Sequence, residues 1–208
     1  QCAENGTQSL CDLINRGNAG TLWLGESGYI QSTTSNLGEV NFSGIDLSAA
    51  YSMDLSGGEL SVKMAGSKSL EKETLAIPGD ESTRQDCSGI TNDDTCTYPY
   101  MDWRHTLSAN YSKDDWTVGA AWRYFGKSDY EGSNDVLASA GALDAVSYLD
   151  VNGSYTLSEN ITFSGGARNL LDKEPPMVGG GLNATNANTY GNYDVLGRYV
   201  YADVTFSF

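Results

Sequence analysis

The final segment of the chain, residues 198–208, alternates strictly between apolar and polar side chains. One face carries Val200, Ala202, Val204, Phe206 and Phe208, and the other carries Tyr199, Tyr201, Asp203, Thr205 and Ser207. A period of two predicts a β-strand with one apolar and one polar side. Outer-membrane strands commonly end on an aromatic residue in this way, because the apolar face contacts lipid and the polar face contacts a watery lumen.

The same alternation predicts seven strands joined in turn by short and long connections. The strands cover about 29–53, 59–74, 101–112, 116–128, 145–157, 161–170 and the final segment. Polar turns at 54–58, 113–115 and 158–160 alternate with loops at about 75–99, 129–144 and 171–196. A short helix, capped by Thr7, is predicted within 7–15. This is the plan of an all-β, antiparallel transmembrane barrel segment with short periplasmic turns and long extracellular loops.

Side chains sort between the two faces of these strands as a barrel requires. Aromatic residues on the apolar faces gather near the short turns, as an interfacial girdle does: Tyr51, Tyr111, Trp116, Tyr155, Phe163 and Phe206. The charges fall on the polar faces: Asp46, Lys63, Arg123, Asp150, Arg168 and Asp203. We expect these to be lumen charges, because a basic side chain facing lipid at mid-membrane costs about 2–4 kcal/mol.

Composition excludes several classes of protein. The chain has 208 residues, a net charge of −15 and 39% hydrophobic residues. It lacks the run of about 20 apolar residues that a membrane helix needs. The negative charge argues against nucleic acid and against an anionic membrane surface as partners. Asp93 and Asp94 lie in an acidic stretch that predicts a solvated loop; a divalent-cation site is the alternative, although no calcium-loop spacing is present.

The four cysteines form two local pairs, and the members of each pair are nine positions apart. We predict the disulfides Cys2–Cys11 and Cys87–Cys96, because neither pair has the tight spacing of zinc or redox motifs. Each would stabilise its loop by roughly 3 kcal/mol. Disulfides imply the periplasm or the cell exterior, whereas four free thiols would imply a reducing compartment.

Seven strands do not close the usual even-numbered antiparallel barrel. Open edges in lipid would leave backbone groups unpaired, at several kcal/mol each. We therefore expect other strands to come from an upstream part of the same polypeptide. On this interpretation residues 1–28 form an extracellular loop with a disulfide, and residues 29–208 form the C-terminal barrel segment. No signal peptide is present at Gln1, which indicates mature sequence or a piece of a longer chain.

Residues 168–176, Arg-Asn-Leu-Leu-Asp-Lys-Glu-Pro-Pro, resemble the C-terminal signature of TonB-dependent outer-membrane receptors. That signature reads Asn-Leu-Phe-Asp-Lys, and Leu171 stands where Phe is usual. Three further segments are similar to the same family: 36–47, Trp103-Arg-His and the segment 193–199. The resemblance spans about 29–208 and gives no information about the ligand.

The resemblance implies the last seven strands of a 22-strand barrel in the outer membrane of a Gram-negative bacterium. It also implies a plug domain, absent from this chain, that couples to the TonB–ExbB–ExbD complex and drives active import of a scarce nutrient. The barrel-assembly machinery would read the final strand, including Tyr199, Tyr201, Phe206 and Phe208. Lipid and lipopolysaccharide would surround the wall.

The sequence offers no catalytic constellation, cofactor motif or metal motif, so we do not expect an enzyme. His105 is interpreted as structural. Candidate ligand contacts are loop or rim aromatic residues: Trp23, Tyr98, Tyr100, Tyr190 and Tyr193. The acidic loops disfavour anionic ferric siderophores and leave oligosaccharide, peptide or cationic substrates open. Two other functions remain: a self-contained small barrel or porin, with an eighth strand from 20–35, and an extracellular β-sandwich adhesion module.

Overall fold

A computed structural model describes residues 2, 6, 8–23, 28–32, 38–77, 80–92, 95–131, 142–177 and 189–208. Thr7, Asp93 and Asp94 lie outside these residues, so the predicted helix cap and the alternative cation site do as well. The chain divides into two compact units, residues 1–37 and residues 38–208. Among the described residues, no helix is both long and apolar enough to cross a membrane.

The described residues of the first unit include a short helix and two short strands. Helix α1 (Gln8–Cys11) ends four residues before the predicted helix does, and Ile14–Asn15 instead forms strand β1. Strand β1 pairs antiparallel with β2 (Tyr29–Ile30). Residues 29–30 therefore do not begin the long first strand predicted over about 29–53, nor do they add an eighth strand to the large sheet. The disulfide Cys2–Cys11 is confirmed.

In the part of the second unit that the structure describes, seven long strands form one antiparallel sheet. Its elements in chain order are β3 (Glu39–Leu55), β4 (Gly58–Leu75), the 3₁₀ helix η1 (Glu81–Thr83), β5 (Arg84–Asp86), β6 (Ile90–Thr91), β7 (Trp103–Lys113), β8 (Trp116–Phe125), β9 (Ser128–Tyr130), β10 (Ala142–Leu143), β11 (Val146–Ser158), β12 (Ile161–Arg168) and β13 (Tyr199–Phe206). The order across the sheet is β13-β12-β11-β8-β7-β4-β3, and β5 extends the pairing of β4. Each long strand thus pairs with the next one along the chain, and β3 and β13 are the edges.

The predicted alternation of short and long connections is confirmed. Leu55 pairs with Gly58, so the first turn consists of Ser56 and Gly57 alone. Both have positive φ, 52° and 82°, which matches the two-residue turns that suit the twist of a β-hairpin. Asp114, with φ 50°, begins the turn between β7 and β8. The strands around these turns are therefore slightly longer than the sequence pattern indicated.

The pairing registers keep each face of the sheet continuous from one strand to the next. One row of directly paired residues is polar in every strand: Asp54, Glu59, Ser112, Thr117, Ser154, Ser164 and Asp203. The adjacent row is apolar, aromatic or glycine in every strand: Met53, Leu60, Tyr111, Val118, Gly153, Gly165 and Ala202. Paired residues share a face, so one face of the sheet is polar and the other is apolar.

The apolar face remains uncovered by the described residues. Three apolar side chains on this face show its exposure. Tyr51 on β3, Val118 on β8 and Val204 on β13 are 64%, 48% and 45% exposed. The loops instead fold onto the polar face, where Phe125, Val146 and Tyr148 lie near the long-loop end. An apolar surface left bare on one side of the sheet, with a polar surface on the other side that loops cover at one end, is the arrangement of a transmembrane barrel wall.

Aromatic side chains form a group at each end of the apolar face. At the short-turn end, the rings of Tyr111 and Trp116 lie 5.3 Å apart, and the Tyr111 hydroxyl donates to the Leu55 carbonyl. At the other end, Trp103, His105, Trp122 and Tyr124 pack together, and the Trp103 indole donates to Nδ1 of His105 at 2.8 Å. The sequence pattern indicated only the first group.

Candidate ligand-facing site

The polar face near the long loops carries a network of charged side chains centred on Arg123. Its guanidinium makes two hydrogen bonds to Asp150, of 2.7 and 3.0 Å, and a third, of 2.7 Å, to Asp194. Asp150 also accepts the backbone N–H of Asn169 at 2.8 Å. Arg123 and Asp150 come from adjacent strands, whereas Asp194 comes from the loop between β12 and β13. The network therefore ties that loop to the inner surface of the sheet.

An aromatic cluster covers this network from the loop side. Tyr190 and Tyr193 are 1% and 4% exposed and pack with Met101, Leu143, Val146 and Tyr148. The backbone N–H of Asp194 donates to the Tyr148 hydroxyl at 3.2 Å. Burial raises the pKa of the Tyr193 hydroxyl, and the neighbouring Tyr148 and Tyr190 add to the rise. Each of the three long loops contributes side chains, so the cluster joins them into one layer.

The signature segment 168–176 forms a turn whose polar side chains bind the backbone. Asn169, which is buried and has φ 49°, exchanges two side-chain hydrogen bonds with the backbone of Lys173, of 2.8 and 2.9 Å. Asp172, with φ 54°, accepts the backbone N–H of Arg198 at 2.7 Å. Asn and Asp tolerate positive φ and cap turns with short side chains. Asn169 therefore closes the turn after β12, and Asp172 ties the residue before β13 to that turn.

The second disulfide lies inside the loop layer. Cys87 and Cys96 are joined as predicted and are 1% and 0% exposed. The side chain of Asn92 accepts the backbone N–H groups of Thr95 and Cys96, which closes the loop locally. The hydroxyls of Thr91 and Tyr190 lie 3.3 Å apart and connect this loop to the aromatic cluster. The disulfide thus holds a loop that contacts the site.

The same loop carries an ion-pair group in which Glu81 is exposed and Arg84 and Glu73 are partly buried. Arg84 binds Glu81 at 2.7 Å and Glu73 at 2.9 Å. The hydrogen bond from Arg84 lowers the pKa of Glu81. Because Glu81 is exposed, this pair orders the loop locally and adds little to the stability of the whole protein.

The five aromatic residues predicted as ligand contacts lie in different surroundings. Trp23 is 77% exposed and belongs to the first unit, and Tyr98 is 59% exposed. Tyr100 is half-buried beneath Lys72, whose Nζ lies 3.4 Å from the ring centroid. Tyr190 and Tyr193 are buried in the aromatic cluster. Their roles in binding remain predictions.

The six predicted lumen charges all lie on the polar face that the registers define, and their contacts differ. Arg123 and Asp150 are paired, Asp203 accepts from Ser164, and Asp46 accepts from Ser67. Lys63 and Arg168 are exposed on the same face.

Tyr199 and Tyr201 stack at 6.2 Å between ring centroids on that face, while Phe206 and Phe208 are 59% and 115% exposed. A role of these four residues in assembly remains a prediction.

A family model described as "TonB dependent receptor-like, beta-barrel" matches residues 7–170. This chain belongs to the TonB-dependent receptors. The match covers most of the sheet, and the all-β barrel fold and the outer-membrane setting of this family follow from it. TonB-dependent receptors are transporters and receptors rather than enzymes.

Two solved structures show the same fold. The chain is 18% identical to "Copper transporter OprC", with a TM-score of 0.51 over 81% of this chain and 24% of that one. It is 16% identical to the ferric enterobactin receptor PfeA from Pseudomonas aeruginosa, with a TM-score of 0.51 over 80% of this chain and 22% of that one. This receptor chain therefore spans about a quarter of the length of each. No curated protein sequence matches it.

Sequence reasoning missed several residues of the site in this TonB-dependent receptor. Asp194 lies in a loop of polar residues, where one more Asp is unremarkable, and its partner Arg123 is 71 positions away. Lys72, which covers the Tyr100 ring, lies near the end of β4, where the alternation of the sequence fades. One sequence signal does point to Asp194. It lies in the segment 193–199, which resembles the receptor family, between Tyr193 and Gly197, whose φ is positive.

Proposed function

We propose that this chain forms the C-terminal part of the barrel wall of a receptor that actively imports a scarce nutrient across the outer membrane. The observation that carries the proposal is the pairing of a bare apolar face with a polar face over which the long loops fold. Such a wall separates lipid from a lumen, and the folded loops provide a surface that a ligand meets first.

The two edges of the sheet support a shared barrel. β3 and β13 each pair with one strand among the described residues. Unpaired backbone groups in the hydrocarbon region cost several kcal/mol each. We propose that upstream strands of the same receptor pair with both edges, that a plug fills the lumen, and that the TonB–ExbB–ExbD complex acts on that plug.

The orientation follows from the loops on the same proposal. The long loops and both disulfides face the cell exterior, where an oxidising environment preserves them. The short turns face the periplasm, as does the end of β13. The named relatives carry copper or bind ferric enterobactin, and both are consistent with a scarce nutrient as the cargo of this receptor.

An uptake experiment tests the proposal. The receptor that contains this chain is expressed in cells whose own outer-membrane receptors are deleted. The accumulation of labelled copper, ferric enterobactin and an oligosaccharide mixture is measured with and without a functional TonB protein. We expect at least one of these to accumulate only when TonB is present. Accumulation that is equal in the strain without TonB would indicate a passive porin and refute active import.

Two alternatives are less consistent with the structure. A self-contained small barrel was expected to draw its eighth strand from 20–35, but residues 29–30 pair with 14–15 in the first unit. A soluble adhesion sandwich needs a second sheet packed on the apolar face. The described residues leave that face exposed. Solubility of the purified receptor without detergent is the measurement that would favour the sandwich.

A further inference from the structure

One row of directly paired residues crosses the polar face with uncharged side chains only. It runs through all seven long strands, and we refer to it as the neutral row: Ser52, Ser61, Asn110, Gly119, Asn152, Gly166 and Tyr201. The next polar row towards the short turns contains Asp54, Glu59 and Asp203. The next polar row towards the long loops contains Lys63 and Asp150. The neutral row therefore separates two charged rows.

The larger side chains of the neutral row lie over its glycines. A Cβ atom on Gly119 would lie under 3.0 Å from the amide oxygens of both Asn110 and Asn152. A Cβ atom on Gly166 would lie 2.8 Å from the Tyr201 hydroxyl. The two glycines thus provide the space in which amides and a phenol lie close to the sheet.

Glycine inside a strand weakens it, so its presence calls for a structural reason. A β-bulge is not the reason here, because pairing continues in register through Gly119 and Gly166 with the strands on both sides. A strand glycine also marks places where another backbone approaches closely. Side chains that lie low over these two glycines leave room for such an approach.

The amides of the neutral row have hydrogen-bonding capacity to spare. In the row nearer the turns, the hydroxyls of Ser112 and Thr117 lie 3.0 Å apart. Among the residues that the structure describes, the amides of Asn110 and Asn152 have no such partner. Each amide carries N–H donors and a carbonyl acceptor, which are the groups that match a peptide backbone. A covered amide without a partner costs free energy, so a molecule lying on this row has to hydrogen-bond to it.

The length of the neutral row indicates the size of its partner. Neighbouring strands lie about 4.8 Å apart, so the seven strands separate the ends of the row by about 29 Å along the sheet. An extended polypeptide of about nine residues has this length. A small ligand would cover only part of the row. This chain covers 24% and 22% of the two solved relatives, so most of a receptor of that length lies outside it.

We propose that the neutral row binds the main chain of the plug. Hydrogen bonds between uncharged side chains and backbone groups, rather than ion pairs, hold the plug against this part of the wall. A main chain is uncharged, so it matches a row from which charge is missing. The inference rests on the proposed function, because it gives the proposed plug a contact surface and a mode of recognition.

Hydrogen exchange of the intact receptor in lipid nanodiscs, read by mass spectrometry, tests this contact. The double variant Asn110→Ala, Asn152→Ala removes the amides, whereas Gly119→Ala keeps them and forces them away from the sheet. We expect either variant to make a segment upstream of Gln1 exchange about tenfold faster, the effect of losing two ordinary hydrogen bonds. Gly153→Ala is the matched control on the apolar face, where a Cβ atom meets nothing closer than 3.4 Å. It should leave upstream exchange unchanged.

The outcomes separate this inference from the proposed function. Upstream exchange that is unchanged in the double variant or in Gly119→Ala, or that rises equally in Gly153→Ala, overturns the contact. An effect of the double variant on cargo binding alone would overturn it too, because the row would then face cargo. TonB-dependent uptake by the unsubstituted receptor is measured separately. Uptake that needs TonB, with upstream exchange unaffected, would keep the import function and remove the contact. Faster upstream exchange in a receptor whose uptake ignores TonB would do the reverse.

Discussion

The ion pair between Arg123 and Asp194 should hold the loop before β13 against the inner surface of the wall. Replacing Asp194→Asn keeps the volume of the side chain and the backbone N–H that binds Tyr148. The change removes only the charge that faces the guanidinium at 2.7 Å. Arg123 remains paired with Asp150, so the variant leaves no unpaired buried cation. The prediction therefore concerns the docking of one loop and leaves the barrel wall intact.

The magnitude follows from the geometry. A hydrogen bond to a charged group contributes about 1.5–3 kcal/mol. Both side chains are 26% exposed, so partial screening by solvent favours the lower end of this range. A loss of about 1.5 kcal/mol corresponds to slightly more than a tenfold rise in the population of the open loop.

Hydrogen exchange of the receptor in lipid nanodiscs measures this opening directly. We expect the backbone amides of 189–198 to exchange about tenfold faster in Asp194→Asn, while amides of β8 and β11 are unchanged. Asp144→Asn, an exposed carboxylate in a neighbouring loop, is the control. Unchanged exchange over 189–198, or the same rise in the control, would show that the ion pair does not dock the loop.

Three further predictions address the wall and the outer loop. Ala120→Lys on the apolar face should lower the free energy of unfolding in lipid vesicles by about 2–4 kcal/mol. Ala121→Lys on the polar face should change this free energy little. Equal effects of the two substitutions would contradict the assignment of the faces. Replacing Cys87 and Cys96 by Ser should lower the stability of their loop by about 3 kcal/mol, seen as faster hydrogen exchange there but not in the strands. The hydrogen bond from Arg84 lowers the pKa of Glu81 when folded, so the ion pair is fully present above the unfolded pKa and is lost as the pH falls through the lowered folded pKa. A protection factor of the loop, corrected for the intrinsic pH dependence of exchange, that stays constant through this acid range would refute this.

The sheet was predictable from the sequence because alternation determines both the strands and their faces. In β8, for example, Trp116, Val118, Ala120 and Trp122 are exposed on the apolar face and their neighbours are less so. A one-residue shift in register would move every side chain to the wrong face, so the pairing is strongly specified. The start of β3 was misplaced because residues 29–30 have strand-like composition but pair locally with 14–15.

The loops were less predictable because their contacts join residues far apart in the chain. The Thr91 and Tyr190 hydroxyls meet across 99 positions, and no local pattern marks such a pair. The disulfide between Cys87 and Cys96 was predictable because its members are only nine positions apart. Lys72 and Arg104 line one cavity only because adjacent strands and two loops converge there, which composition and periodicity do not indicate.

The aromatic cluster that joins the long loops has a consequence for how specificity can change. Met101, Leu143 and Tyr190 come from three different loops and share one packed interior. Substitutions in residues that touch are not additive, so an exchange in one loop alters the cost of exchanges in the other two. Receptors of this kind should therefore acquire new cargo through coordinated sets of loop changes, while the strands beneath keep their pattern.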